Sequence, residues 1–204
     1  MDRFISLYIL FFLILGNIVF GYLNRKFSAE DTPIVKKDKS YRILHGLRFF
    51  LFFVWAVLFF LSETDKSWLK LFSASGTVRD YLRILGLVIF SLGGIWLLWS
   101  RWVLGKWFST KFAIKKGHQI IRTGPYKIVR HPIYLGICLA IWGATLALDS
   151  LTTLIILAIP LPLTFYLNII KEEKLFLKEM SAEYQKYQQE VPRLFPFIKT
   201  KART

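Results

Sequence analysis

The chain has 204 residues, 54% of them hydrophobic, with a mean hydropathy of +0.44 and a formal net charge of +15. That length suits one compact domain, and the apolar content is above that of ordinary soluble domains. So large a positive charge on a soluble protein would point to nucleic acid, but here the basic residues lie almost entirely between long apolar blocks, so they mark membrane orientation and exclude a nucleic-acid surface as the first reading.

A bilayer core requires about 20 mostly apolar residues per helix. Phe4 to Leu23 is the first such block, and it lacks a small-residue cleavage site, so a retained span is expected. Ile43 to Leu61 is the second, with Arg48 near its start, where a long stem can snorkel. Leu82 to about Leu104 is the third, and Gly86, Gly93 and Gly94 would let another helix approach closely. Ile133 to Leu148 is the fourth. Leu151 to Ile170 is the fifth, with Pro160 and Pro162 inside it to bend it. Asp149 and Ser150 alone separate the last two, which predicts a tight helical hairpin. Phe176, Met180, Tyr184 and Tyr187 then continue an apolar stripe, predicting an amphipathic helix that lies on the membrane or folds over the third loop. The expected fold is all-α: a polytopic membrane protein of about five transmembrane helices with a C-terminal amphipathic helix. Residues 1–80 would hold the N-terminal membrane helices, spans one and two, and residues 81–204 the functional core.

The first loop, the third loop and the C-terminal tail are rich in lysine and arginine. The second loop holds only Lys66, Lys70 and Arg79, and the fourth holds none. This alternation predicts an outside N-terminus and a cytoplasmic C-terminus. Cys138 is the sole cysteine, so an intramolecular disulfide and a cysteine metal cluster are excluded. His45, His118 and His131 are widely spaced and no HExxH occurs, so no metal is expected.

Polar residues gather at two places. Gly124-Pro125 marks a turn, and Pro132 suits the first turn of a helix, which puts Arg130 and His131 at the mouth of the fourth span. The amide donors of that helix start favour an anion, though a basic loop resting on anionic headgroups would look the same. Glu172 and Glu173 follow the fifth span. Acidic residues at a membrane boundary want a cationic partner, and a solvated pair is the competing reading. The hairpin should make His131 and Glu172 neighbours. A helix start on one side and a carboxylate on the other suits a zwitterionic ligand.

Gly124-Pro125-Tyr126, Arg130-His131-Pro132 with Tyr134 and Gly136, Glu172-Glu173, Glu183-Tyr184 with Tyr187, and Val191-Pro192-Arg193 with Pro196 together resemble the isoprenylcysteine carboxyl methyltransferase family, within a wider group of membrane phospholipid methyltransferases. The resemblance runs from Gly117 to Pro196 and does not reach the first two spans. It implies an S-adenosylmethionine-dependent membrane enzyme with a lipid-like acceptor, a carboxylate of isoprenylcysteine type among the candidates. It implies a cofactor site at the cytoplasmic face lined by His118, Gln119, Ile120, Ile121, Tyr126, His131, Pro132, Ile133, Tyr134 and Glu172. The family commonly has an arginine about four residues before the first glutamate. Asn168 stands there instead, which leaves Asn168 and Arg130 as candidates for orienting the substrate, with no charge at the former. Two other readings compete: an NADPH-dependent membrane reductase of the sterol-reductase type, and a non-enzymatic scaffold or transporter. The glutamate pair and the Val-Pro ending favour the methyltransferase over the reductase. A transporter would be expected to bury ionisable residues in mid-span, and only Arg48 comes near that.

Overall fold

The computed structural model describes residues 2–27, most of 43–54, 76–108 and 117–196. Five main helices can be named: α1 (Asp2–Lys26), α2 (Thr77–Leu104), α3 (Pro132–Leu148), α4 (Pro160–Glu179) and α5 (Ser181–Glu190). The described residues of 43–54 are also helical, but most of the second expected span, to Leu61, lies outside the described residues. Among the described residues, three helical stretches are long and apolar enough to cross a membrane: Phe4–Lys26, Thr77–Trp107 and Leu154–Glu179. Pro132–Leu148 is a shorter apolar helix.

Their outward faces are apolar. Phe4 and Phe11 on α1, Val88, Leu92 and Ile95 on α2, and Leu163 and Leu167 on α4 are all exposed. Only hydrocarbon covers such a surface without penalty, which makes this an integral membrane protein.

The most extensive helix contact is α2 against α3, and glycines on both helices make it. A Cβ on Gly93 would stand 2.5 Å from the backbone nitrogen of Ala140, and one on Gly136 would stand 2.8 Å from that of Leu97. Gly86 and Gly143 form a second such crossing with Ala147 and Phe90. Gly86 and Gly93 therefore act as the sequence predicts. Gly94 does not: it meets no neighbour at Cβ distance and instead lines a cavity. Gly136 and Gly143 complete the crossing from the facing helix.

α1 packs beside α2, with Ile5 and Ile9 against Phe90 and Ala147. Tyr8 and Ser91 share a hydrogen bond at one end of this contact. At the other end Arg101, only 2% exposed, donates to Asn24 Oδ1 at 2.8 Å and to the carbonyl of Leu23. Its guanidinium lies 4.3 Å from the ring centre of Phe108. Its place in the sequence makes Arg101 one of the basic residues of the third loop. In the fold it is a buried clamp on the last turn of α2.

The hairpin forms as predicted. Asp149 ends α3 in the left-handed conformation (φ 51°) and pairs with Arg79 at 2.8 Å, while Ser150 caps the next helical turn through the amide of Thr153. A π-helical turn over Leu154–Ala158 then leads into Pro160. Pro162 has no N–H to give Ala158, and the indole of Trp142 satisfies that carbonyl instead at 2.9 Å, so Pro162 leaves no orphaned acceptor. α4 continues unbroken past Ile170 to Glu179, so Glu172 and Glu173 lie within a helix and not beyond its end. The backbone breaks at Met180 (φ −135°), and α5 turns back. The segment packs on the end of the third loop and on α4. Tyr184, Tyr187 and Val191 pack against Ile120, Phe176 and Leu177.

Candidate functional site

A cavity of about 580 Å3 opens at the end of the bundle where α3 begins and α4 ends. All ten residues implied for the cofactor line it: His118, Gln119, Ile120, Ile121, Tyr126, His131, Pro132, Ile133, Tyr134 and Glu172. They arrive from three places: the stretch before the Gly124 turn, the first turn of α3, and α4. Trp107, Phe176, Tyr184 and Tyr187 add aromatic walls that no motif in the sequence marks for this role. From this polar end the cavity runs into an apolar end between α1, α2 and α3, where Phe12, Leu13, Phe90, Leu97 and Ala140 line it.

The two glutamates do different work. Glu173 is the buried one. Arg130 Nη2 meets its Oε1 at 2.7 Å, Arg193 Nη2 meets its Oε2 at 2.6 Å, and His131 Nε2 stands 3.3 Å from Oε1. Gln188 donates to the same carboxylate. Arg130 spends its remaining reach on the carbonyls of Gln188 and Val191. The backbone amides of Arg130 and His131 donate to the carbonyls of Pro192 and Arg193. The Val191-Pro192-Arg193 segment is thus a brace that fixes the mouth of α3. Arg130 reaches the cavity wall with four of its five donors already engaged. Asn168, the other candidate for orienting a substrate, is fully buried and does not line the cavity.

Glu172 faces the cavity, and among the described residues no arginine pairs with it. Tyr134 donates its hydroxyl to Oε1 at 2.7 Å, and His131 Nδ1 lies 3.4 Å from Oε2. The expected His131–Glu172 contact is therefore present, and one imidazole bridges both carboxylates. Burial disfavours the charged ring, but hydrogen bonds to Glu172 and then Glu173 outweigh it, so the His131 pKa is raised above its ordinary 6.5. Burial pushes the phenols of Tyr126, Tyr184 and Tyr187 well above their ordinary value, so they stay protonated and serve as walls and not as bases, with Tyr187 donating to the Tyr126 carbonyl.

The raised His131 value has a sign. The stabilisation from its protonation is fully present below pH 6.5 and is lost as pH rises through the folded-state value. The melting temperature of the detergent-solubilised protein should fall as pH rises above 6.5 and through the folded-state value, and His131→Gln should flatten that slope. An identical slope in the variant would show that another group titrates.

The helices and the cavity define an α-helical integral membrane protein with a ligand site at one end of its bundle. A family model described as phospholipid methyltransferase matches residues 81–184. The protein-S-isoprenylcysteine O-methyltransferase of Saccharomyces cerevisiae is 30% identical over 183 residues, covering 88% of this chain and 76% of the yeast protein. The cobalt-zinc-cadmium resistance protein CzcN of Cupriavidus metallidurans is 28% identical over 142 residues, 69% of this chain and 57% of that one. A solved eukaryotic intramembrane Ras methyltransferase, an isoprenylcysteine carboxyl methyltransferase, shares the fold with a TM-score of 0.57 at 20% identity, over 89% of this chain and 61% of that one. The chain belongs to the isoprenylcysteine carboxyl methyltransferase family of membrane methyltransferases.

Proposed function

We propose that this protein transfers the methyl group of S-adenosylmethionine to a lipid-like acceptor that reaches the site through the bilayer. The observation that carries this reading is one continuous cavity with a polar end and an apolar end. The polar end suits the cofactor. Glu172 is a carboxylate without an arginine, which favours an ammonium or sulfonium charge, and the aromatic rings around it can take a purine or a cation on their faces. The start of α3 favours the cofactor's carboxylate. When bound, S-adenosylmethionine supplies an activated methyl group on a sulfonium, a leaving group that needs no further activation.

The chain's own residues then position and exclude water. Tyr134 and His131 hold Glu172 in place, and Glu173 with Arg130 and Arg193 holds His131. α5 closes the polar end by resting Tyr187 on the carbonyl of Tyr126 at 2.7 Å. Fixing two reactants in a dry cavity is most of what such a displacement requires. Arg130 and Arg193, beside the polar end, are already engaged by Glu173 and are not offered to a dinucleotide phosphate, which favours the methyltransferase over a reductase.

The same geometry supports the five-span topology. α1 and α2 run parallel, since Tyr8 meets Ser91 and Asn24 meets Arg101 further along both helices. Two parallel helices in succession are what an intervening second span would give. Basic residues concentrate at the site's end of the bundle, and we place that end in the cytoplasm.

Calorimetric titration of the purified protein with S-adenosylmethionine and, separately, with NADPH tests the reading. S-adenosylmethionine should bind, and Glu172→Ala and His131→Ala should each weaken it by about 1–3 kcal/mol. Binding of NADPH alone would overturn the proposal. Unchanged affinity in both variants would remove the site.

A further inference from the structure

Among the described residues, the apolar end of the cavity stops at one level on three helices. On α1 its lining runs from Phe20 back to Phe12, and on α2 back to Phe90. On α3 it runs from Pro132 out to Ala140, and Ala144 and Ala147 further along belong to the packed core instead. Phe12 and Phe90 meet edge to face with ring centres 6.1 Å apart. Gly93, within a turn of Phe90, is where α2 crosses α3 at Ala140. The three stopping points therefore form one floor.

That floor is braced from behind. Tyr8 stacks on Phe12 with ring centres 4.9 Å apart. Ser91 spends its own proton on the carbonyl of Leu87, so the Tyr8 hydroxyl donates to Ser91 Oγ at 2.8 Å and pins the stack to α2. Phe90 is 5% exposed, its backbone lies against Gly143, and Ile5, Ile9 and Ala147 pack with it. A floor packed this closely does not yield to extra carbon without overpacking.

Above the floor the walls leave room. Gly16 on α1 and Gly94 on α2 each stand four residues from the phenylalanine pair, toward the polar end, and both line the cavity. A Cβ on either would meet nothing within 4 Å. Glycine inside a helix is destabilising, and neither residue recovers that loss in a helix crossing as Gly86 and Gly93 do. The room is short: Ala140 lies six residues beyond Tyr134 on α3, about 9 Å of helix rise.

We propose that the Phe12–Phe90 pair sets the longest apolar tail the acceptor can carry, and that Gly94 is kept small so that the tail can reach it. This rests on the methyl-transfer reading above, because the space is continuous with the polar end and so receives the tail of whatever molecule meets the donor there. A tail that just reaches the two rings fills the end of the cavity. A longer one must fold back or draw its head away from the donor. The selection acts on chain length and is independent of the chemistry of the head.

The test uses N-acetylcysteine thioethers with hexyl, decyl, tetradecyl and octadecyl tails, measured by direct binding to the full chain in lipid nanodiscs with no methyl donor present. Each variant is compared with wild type at the same tail length, which cancels partitioning into the lipid. Gly94→Leu should weaken the decyl and longer probes about tenfold and leave the hexyl probe within about twofold, since a hydrophobic pocket discriminates single methylenes by factors of that size. Phe12→Ala should do the reverse and tighten the tetradecyl probe about tenfold. Phe12→Leu keeps an apolar side chain in the α1–α2 contact and decides the point if the alanine variant does not fold. Variants that move all four probes by one factor, or move none, would overturn the proposal and leave membrane lipid as the occupant of this space. Failure of every tail length to bind would overturn it too. Titration with S-adenosylmethionine separates the two readings: length selection that shifts in both variants of a protein unable to bind this cofactor would sink methyl transfer and keep the tail pocket.

Discussion

Replacing Glu173 by alanine is expected to destabilise the protein by about 3–5 kcal/mol, the usual result of removing one partner from a buried ion pair. Its side chain is 3% exposed and that of Arg130 is 2% exposed, so neither charge has water to fall back on. The loss would spread. Arg193 would release its grip on α4, the brace from Val191 to Arg193 would loosen, and His131 would keep only Glu172. Thermal unfolding in detergent would show the destabilisation, and S-adenosylmethionine titration would show weakened binding without any direct contact having been removed. Glu173→Gln should fall between, because the amide keeps the shape and one acceptor but not the charge. A loss under about 1 kcal/mol for the alanine variant would mean that the cluster adds little beyond its hydrogen bonds.

Gly143→Ala is expected to cost about 3 kcal/mol, at the upper end for overpacking a tight contact. The added carbon would strike backbone atoms, the nitrogen and Cα of Phe90. A flexible side chain could swing away from such a clash, but a backbone cannot, so α2 and α3 would have to part. α3 carries His131 at its start, so the displacement would reach the site and lower cofactor affinity too. Gly21→Ala on α1 is the control. It meets nothing within 4 Å, and exchanging glycine for alanine in a helix should gain about 0.5–1 kcal/mol. Melting curves of the two variants side by side decide the point, and a Gly143→Ala protein as stable as wild type would show that the helices can separate freely.

The parts of the site that are legible in the sequence share a physical origin. Gly124-Pro125, Pro132 and the Asp149-Ser150 junction are local signals, set by backbone dihedrals and a missing N–H, and each produces the turn or helix start it predicts. Because a two-residue junction joins antiparallel helices, the pairing of His131 with Glu172 follows from the sequence alone. The glutamate pair shows where this ends. Both residues look alike in sequence, and nothing local says that residue 173 points into the arginines while residue 172 faces the cavity. Their rotation about α4 is set by packing against α3 and α5.

Arg48 and Arg101 mark the same limit from another side. Each is an arginine beside an apolar stretch, and a snorkelling or loop charge is the ordinary reading of both. Arg101 proves to be buried in a ring of aromatic and carbonyl contacts, and Arg48 proves to face the cavity beside Asn168. The sequence by itself determined the membrane class, the apolar blocks and the hairpin, and it marked ten residues that the fold gathers around one cavity, because those rest on composition, local backbone chemistry and ordered motifs. The tertiary structure alone decided which carboxylate is braced, which glycines touch, where α5 folds and which arginines line the cavity, because each depends on side chains far apart in the chain meeting across helices.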